Sequence, residues 1–323
     1  MRAWRILKLC AINILGLCLV FIFLEFGCRL AGVPYAGNIE PSENAIAQFD
    51  PELGWSYIPK MSKSQQEESS FWPLHIDERG IRVPSPEFTF DDSQPSVLFI
   101  GGSFTMGHGL PYEESFVGQV ANCSDMPYQV VNLGVQAYGT DQALLTLKKF
   151  LPAFNTKIVV YTFIGAHVLR NGNYDRRQLY PRLNFIATKP LFALNEHHEL
   201  YLAKKPLLYK DYMHSWLVDA LTITIEKRLG VFPPFPVALT QALMLEMKNY
   251  CETHGVRFIV LNWRWTPDDY DEIFSQLDVE VIDTLQGVVP EGWKAMRLPQ
   301  DSHPNAAASL YVSQLLCRYL LEK

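Results

Sequence analysis

The sequence predicts an α/β protein: a three-layer domain around a mostly parallel sheet, with an N-terminal transmembrane helix ahead of it. Three observations lead there. Short apolar runs bounded by glycine and other turn residues, at 97–100, 128–133, 157–164 and 256–261, read as buried strands. Segments of helical spacing alternate with them, and that alternation implies parallel pairing through right-handed crossovers. Residues 6–24 are almost wholly apolar, and about nineteen residues of helix span roughly one bilayer core.

The chain has 323 residues, room for one large domain or two small ones and ample length for a sizeable core. Its net charge of −6, without a Lys/Arg stripe, argues against a nucleic-acid partner. Cysteines stand at 10, 18, 28, 123, 251 and 317, and none form a CxxC pair that would read as a zinc or redox motif. Three lie in or beside the apolar N-terminus. The other three are too widely spaced to read as a disulfide framework, and a single disulfide among them is left open.

Taken in order, the chain begins with Arg2, Arg5 and Lys8 at the head of the apolar run. Such a basic flank keeps the N-terminus in the cytoplasm and sends the rest of the chain across. The competing reading is a cleaved signal peptide, whose apolar region is shorter and ends in small residues that are wanting here. Leu24-Glu25-Phe26-Gly27-Cys28 makes a poor lipoprotein box, because Glu25 stands where a small or aliphatic residue belongs. The expectation is an uncleaved anchor over residues 1–32, crossing the inner membrane through residues 6–26. The body is then extracytoplasmic, periplasmic in a bacterium.

Residues 33–95 are rich in Pro, Gly, Ser and charge, and read as an extended segment of short strands and loops packed on the body, with Trp55, Tyr57 and Trp72 as packing residues. The remaining body, 96–323, carries the regular pattern. After the strand at 97–100 come a loop with Gly107 and Gly109, a helix expected over Glu113–Cys123, and the strand at 128–133. Thr140 reads as the N-cap of a helix through Phe150. The strand at 157–164 ends at Gly165-Ala166-His167. An insertion at 170–236 breaks the rhythm; long insertions of this kind are usually functional, such as a lid. It contains a hairpin, 191–194 and 200–203, about the turn Asn195-Glu196-His197-His198, and helical periodicity over 216–229. Adjacent histidines in a turn read as solvated rather than as metal ligands, since metal sites need further ligands at suitable spacing. A helix over 237–253, stopped by Gly255, leads to the strand at 256–261, a short strand at 279–282 and a closing helix over 305–320.

Two stretches carry chemistry. Gly101-Gly102-Ser103 ends the first regular strand: the glycines permit a sharp turn and leave open space around the serine, at the sheet edge where open α/β folds keep their ligands. Read alone, Ser103 is also an ordinary helix N-cap. Just before the last helix stands Asp301-Ser302-His303-Pro304-Asn305. An Asp and a His two apart can direct both side chains to one place. The carboxylate then sets the imidazole tautomer, and the far ring nitrogen takes a serine proton.

Together the two stretches resemble the SGNH/GDSL hydrolase family, which begins with a Gly-Asp-Ser block after its first strand and ends with an Asp/His block before its last helix. Gly101-Gly102-Ser103 matches the first block, with Gly102 in place of the usual Asp. Asp301 and His303 match the last, spaced Asp-x-His where Asp-x-x-His is commoner; the shorter spacing also occurs in relatives linked to exopolysaccharide acetylation. The Gly-x-Ser-x-Gly elbow of the α/β-hydrolases is a near competitor. Thr105 and the joint arrival of acid and base at the chain's end favour the SGNH pattern. The resemblance covers residues 97–320 apart from the insertion, and implies a three-layer flavodoxin-like fold.

It also implies roles: Ser103 as nucleophile, His303 as base and then acid, and Asp301 as the orienting group. It implies an oxyanion hole from the Ser103 N–H, a backbone N–H after the second strand and an Asn side chain after the third. For the second donor Gly134, Ala137 and Gly139 compete, and Ala137 is preferred. For the third, His167 stands where the amide belongs and can still donate through its imidazole; Asn171 is a less suitably placed substitute. The expected function is a serine esterase acting on an acylated small molecule or glycan at the cell envelope, without metal or cofactor. The alternatives are an O-acetyltransferase modifying an exported polysaccharide and an inactive envelope protein that binds glycan.

Overall fold

The computed structural model describes residues 2–33, 46–63, 72–176, 179, 187–208, 215–229, 236–264, 271–285, 292, 295–299 and 302–322. It opens with α1 (Arg2–Leu30), a helix long and apolar enough to cross a membrane, with its apolar side chains exposed. Five short strands follow: β1 (Ala47–Asp50), β2 (Gly54–Tyr57), β3 (Ser62–Lys63), β4 (Leu74–Ile76) and β5 (Arg82–Val83). The body continues with β6 (Pro95–Gly101), α2 (Ser103–Met106), α3 (Phe116–Ala121), β7 (Gln129–Gly134), α4 (Thr140–Phe150), β8 (Asn155–Phe163) and α5 (Ala166–Asn171). The hairpin β9 (Leu191–Leu194) and β10 (Leu200–Lys204) leads to α6 (Trp216–Leu229) and α7 (Val237–Thr253). The chain closes with β11 (Arg257–Asn262), α8 (Asp271–Ser275), β12 (Glu280–Asp283) and α9 (Ala306–Leu321).

The central sheet runs β12-β11-β8-β6-β7-β5-β4-β3. The five strands from β12 to β7 are parallel, and β5, β4 and β3 extend the sheet antiparallel, joined where Arg82 pairs with Asn132. Strands buried on both faces read as unbroken apolar runs, as β6 and β8 do. α4 and α7 cover one face, burying Leu144, Leu147, Leu243 and Met247 against Val159 and Val260. α3 and α9 cover the other, with Phe116, Val120, Val312 and Leu316 against Phe99 and Ile259. This gives the three layers. Cys123, just after α3, and Cys317 of α9 form a disulfide across 194 residues, a pairing their spacing does not reveal.

Register is what assembles the site. Gly101 lies level with Gly134 on one side and Thr162 on the other, so the loops leaving β6, β7 and β8 emerge side by side at the C-terminal edge. Trp55 and Tyr57 pack below the β7–α4 loop: Trp55 Nε1 donates to the Gln136 carbonyl at 3.0 Å and the Tyr138 hydroxyl donates to the Trp55 carbonyl.

Two local expectations give way. The helix expected over Glu113–Cys123 is a 3₁₀ turn at Tyr112–Glu114 followed by α3. Ser115 breaks it by adopting extended geometry (φ −70°, ψ 149°) and accepting the Gly118 N–H on its hydroxyl, a side-chain cap that competes with helix continuation. Thr140 is the first helical residue of α4, and Gly139 is the N-cap. The N–H groups that a Thr140 cap would have served are met elsewhere: Asp141 Oδ1 accepts from Gln142 N–H at 2.8 Å and the Gly139 carbonyl from Ala143 N–H at 3.1 Å.

Candidate active site

At the end of β6 the backbone of Gly101 takes φ +150°, and a Cβ there would collide with the Thr105 hydroxyl. Glycine is required for this turn. It delivers Ser103 as the first residue of α2, with Gly102 as the N-cap and no side-chain capping bond. The capping role open to Ser103 is therefore not taken. Its side chain is buried, and its Oγ lies 2.8 Å from His303 Nε2. Arg82 holds the segment after Ser103. Its guanidinium donates to the carbonyls of Met106, the last residue of the short helix, and of Gly107 (3.1 Å) and Leu110 (2.6 Å) in the loop after it.

His303 arrives on a loop pinned at both ends. The Leu298 N–H donates to the His303 carbonyl at 2.8 Å, Arg297 bridges to Pro304, and Asn305 caps α9 by accepting the Ala308 N–H at 3.1 Å. Its ring centroid is 5.6 Å from that of Phe104 and 4.2 Å from that of His108. Asp301, the expected orienting group, lies outside the described residues.

His108 went unread in the sequence, although it stands only five residues past Ser103. Its ring contacts Trp72 at 4.4 Å and its Nδ1 lies 2.6 Å from Gln136 Nε2. It therefore joins the segment before β4, the loop after β7 and the histidine beside Ser103.

On the far side of Ser103, a Cβ built on Gly102 would stand 3.2 Å from both His167 Nε2 and Arg170 Nη1, and 3.4 Å from the Tyr138 carbonyl. The space given up at Gly102 is thus where His167 and Arg170 converge. Ala137 adopts φ +61°, and its N–H, like that of Ser103, donates to no described residue. Of the other candidates for that donor, Gly134 is packed beneath α2 against the Met106 N–H and Gly139 caps α4. The left-handed conformation costs an L-residue about 1–2 kcal/mol, against roughly 0.4–1 kcal/mol of unfolded-chain entropy that alanine saves over glycine. Ala137→Gly is therefore expected to raise the urea midpoint of the detergent-solubilised chain, by up to about 1 kcal/mol in stability.

His167 is the second residue of α5 and is buried; its Nε2 has no hydrogen-bond partner among the described residues. Burial first, then the positive charges of Arg170 and Arg176, hold its pKa well below the ordinary 6.5, so the ring is neutral. Which nitrogen carries the proton follows from counting donors. Asn171 Oδ1 accepts the Thr140 N–H, so its Nδ2 faces Thr140 Oγ1 at 2.9 Å and Thr240 Oγ1 at 2.8 Å. An amide nitrogen accepts nothing. The Thr140 hydroxyl hydrogen then has one described acceptor, the Tyr161 oxygen 2.9 Å away. The Tyr161 hydrogen in turn goes to His167 Nδ1 at 2.8 Å, which leaves the imidazole proton on Nε2, toward Gly102. Asn171 is committed to this chain and takes no part at Ser103. His197 and His198 sit in the exposed hairpin turn, and the described residues contain no group of three or more His, Cys, Asp or Glu able to hold a metal ion.

No family model and no curated protein matches the chain. Among solved structures it is similar to TesA, at 15% identity and a TM-score of 0.43, over 69% of this chain and 96% of that one. It is similar to the psychrotrophic esterase EstA from Pseudoalteromonas sp., at 11% identity and a TM-score of 0.41, over 72% of this chain and 100% of that one. A putative lipolytic protein of the G-D-S-L family from Desulfitobacterium hafniense DCB-2 matches at 13% identity and a TM-score of 0.38, over 68% and 98%. The chain has an α/β fold with a mostly parallel sheet, and the solved structures it is similar to include esterases and lipolytic proteins of the G-D-S-L family.

Proposed function

We propose that the chain is a serine acyl hydrolase of the SGNH/GDSL type, cleaving ester bonds from a body tethered to a membrane by α1. The observation that carries this is the 2.8 Å approach of His303 Nε2 to Ser103 Oγ at the C-terminal edge of the sheet. A neutral imidazole at that distance takes the serine proton as Oγ attacks the acyl carbonyl. In this reading the new tetrahedral oxyanion is met by the N–H groups of Ser103 and Ala137 and by His167 Nε2–H, which donate to no described residue. His303 then gives the proton to the departing alcohol, leaving an acyl-Ser103 ester. Water attacks that ester with His303 again as base, releasing the acid and restoring the serine. Asp301, two residues before His303, is assigned the task of holding the imidazole.

The tether is proposed on the length and apolarity of α1 with Arg2, Arg5 and Lys8 at its head, which puts the body outside the cytoplasm. The Cys123–Cys317 disulfide supports that side, since disulfides persist in oxidising compartments. The substrate class proposed is an acylated glycan of the envelope, an ester-bearing polymer within reach of a body tethered there.

Treating the full chain with a fluorophosphonate tests the chemistry. The expected result is a covalent adduct on the peptide that contains Ser103, absent in Ser103→Ala. Folded wild-type protein that takes no label overturns the reading. Given an acetyl ester together with an oligosaccharide, the protein is expected to release acetate; acetylated sugar detected by mass would reassign it as a transferase.

A further inference from the structure

We infer that α6 lies on the surface of the lipid bilayer, as a second contact between the body and the membrane. The inference rests on the reading of α1 as a membrane span. Glu25 is the first charged residue after the apolar run 6–24. Nineteen helical residues rise about 28 Å, close to the thickness of a bilayer core of roughly 30 Å. Glu25 therefore marks the boundary where α1 leaves lipid.

That carboxylate is spent on the start of α6. Its Oε2 accepts from Ser215 Oγ and the Leu217 N–H, both at 2.9 Å, and its Oε1 from the Trp216 N–H at 3.1 Å. Arg29, one turn further along α1, donates to Glu25 at 2.8 Å and sets its guanidinium 5.4 Å from the centre of the Trp216 ring. The first turn of α6 is thus capped from another helix, at the depth where tryptophan and arginine concentrate at membrane–water interfaces.

From that point α6 presents an apolar stripe. Val218, Leu221, Ile225 and Leu229 are 48%, 53%, 54% and 72% exposed. At about 100° per residue they fall within roughly 80° of one another. Exposed Arg228 borders the stripe, where lipid phosphates would be. Glu226, off the stripe, is turned to Lys204 of β10 and ties the helix to the β9–β10 hairpin. A continuous apolar stripe of this kind is costly in water and is characteristic of helices lying in an interface. Lipid is the occupant because the helix is pinned at the end of the membrane span. Held by α1 and α6 together, the body keeps one orientation to the bilayer instead of swinging on a single tether.

The test places photoreactive benzoylphenylalanine singly at Leu221, Ile225, Thr224 and Ile12 in the full chain. Each variant is reconstituted in vesicles of phosphatidylethanolamine and phosphatidylglycerol that carry a clickable lipid. Ile12 lies within the apolar run, and Thr224 is exposed about 100° around α6 from the centre of the stripe. The expected result is lipid adducts at Leu221 and Ile225 in yields comparable to Ile12, with a loss of adduct at Thr224. Adducts at Ile12 alone overturn the placement of α6 and leave the membrane span standing. No adduct at Ile12 overturns the span itself. Cross-linked dimers at Leu221 or Ile225 without lipid adduct overturn the assignment in favour of a second copy of the chain.

Discussion

Ser103→Ala is expected to lower kcat for ester hydrolysis by about a million-fold, the loss typical when a serine nucleophile and its base act as one unit. Stability is expected to stay within about 0.5 kcal/mol of wild type. The side chain caps no helix, and its one described partner is His303, so folding has little to lose. The measurement is turnover of a short-chain ester beside a urea unfolding curve of the same preparation. His303→Ala is expected to cost nearly as much as Ser103→Ala, and the double variant hardly more than either, because a serine without its base and a base without its serine fail at the same step. Losses that multiply in the double variant would mean that the two residues act separately, and the proton transfer proposed for them would be wrong.

How much of the fold and the site is legible in the sequence depends on how local each signal is. β6 and the turn at Gly101 are legible because an apolar run and a residue that must take φ +150° are written within five positions. The hairpin β9–β10 is legible for the same reason. Thr140 is misplaced by one residue because its local capping habit is strong, while the partners that take its hydroxyl instead, Tyr161 and Asn171, are 21 and 31 residues away. The surroundings of Ser103 are less legible still. Arg82 lies on a two-residue strand and reaches carbonyls 24 to 28 residues on. Arg170 meets Gly102 only because β6 and β8 are neighbours in register. His108 carries a faint local signal, a histidine between two glycines shortly after the serine, but nothing in the chain's pattern places it against a residue 195 positions later.

His167, standing where the resemblance in sequence expects an amide, yields the second large effect. His167→Leu removes the imidazole donor and is expected to lower kcat by about 100- to 1000-fold, the range for losing one oxyanion donor, with little change in KM. His167→Asn, which returns an amide, is expected to recover a large part of that loss. Tyr161→Phe tests the proton count instead of the donor. It removes the hydroxyl that gives its hydrogen to His167 Nδ1, so the ring is no longer held with its proton on Nε2. The expected result is a fall in kcat of about tenfold, around 1.4 kcal/mol, again at nearly constant KM. A rise in KM alone would mean that the ring positions substrate and does not meet developing charge.

The pH dependence separates the two histidines. His167 has its pKa lowered by burial and by Arg170 and Arg176, so on acidification the unfolded chain takes up this proton before the folded one does. Stability therefore rises with pH across the interval from the folded pKa up to 6.5, and its contribution is lost as pH falls through that interval. His167→Asn is expected to flatten this slope. The acid limb of kcat/KM should survive the same substitution unchanged; a limb that disappeared with His167 would make the buried ring the base.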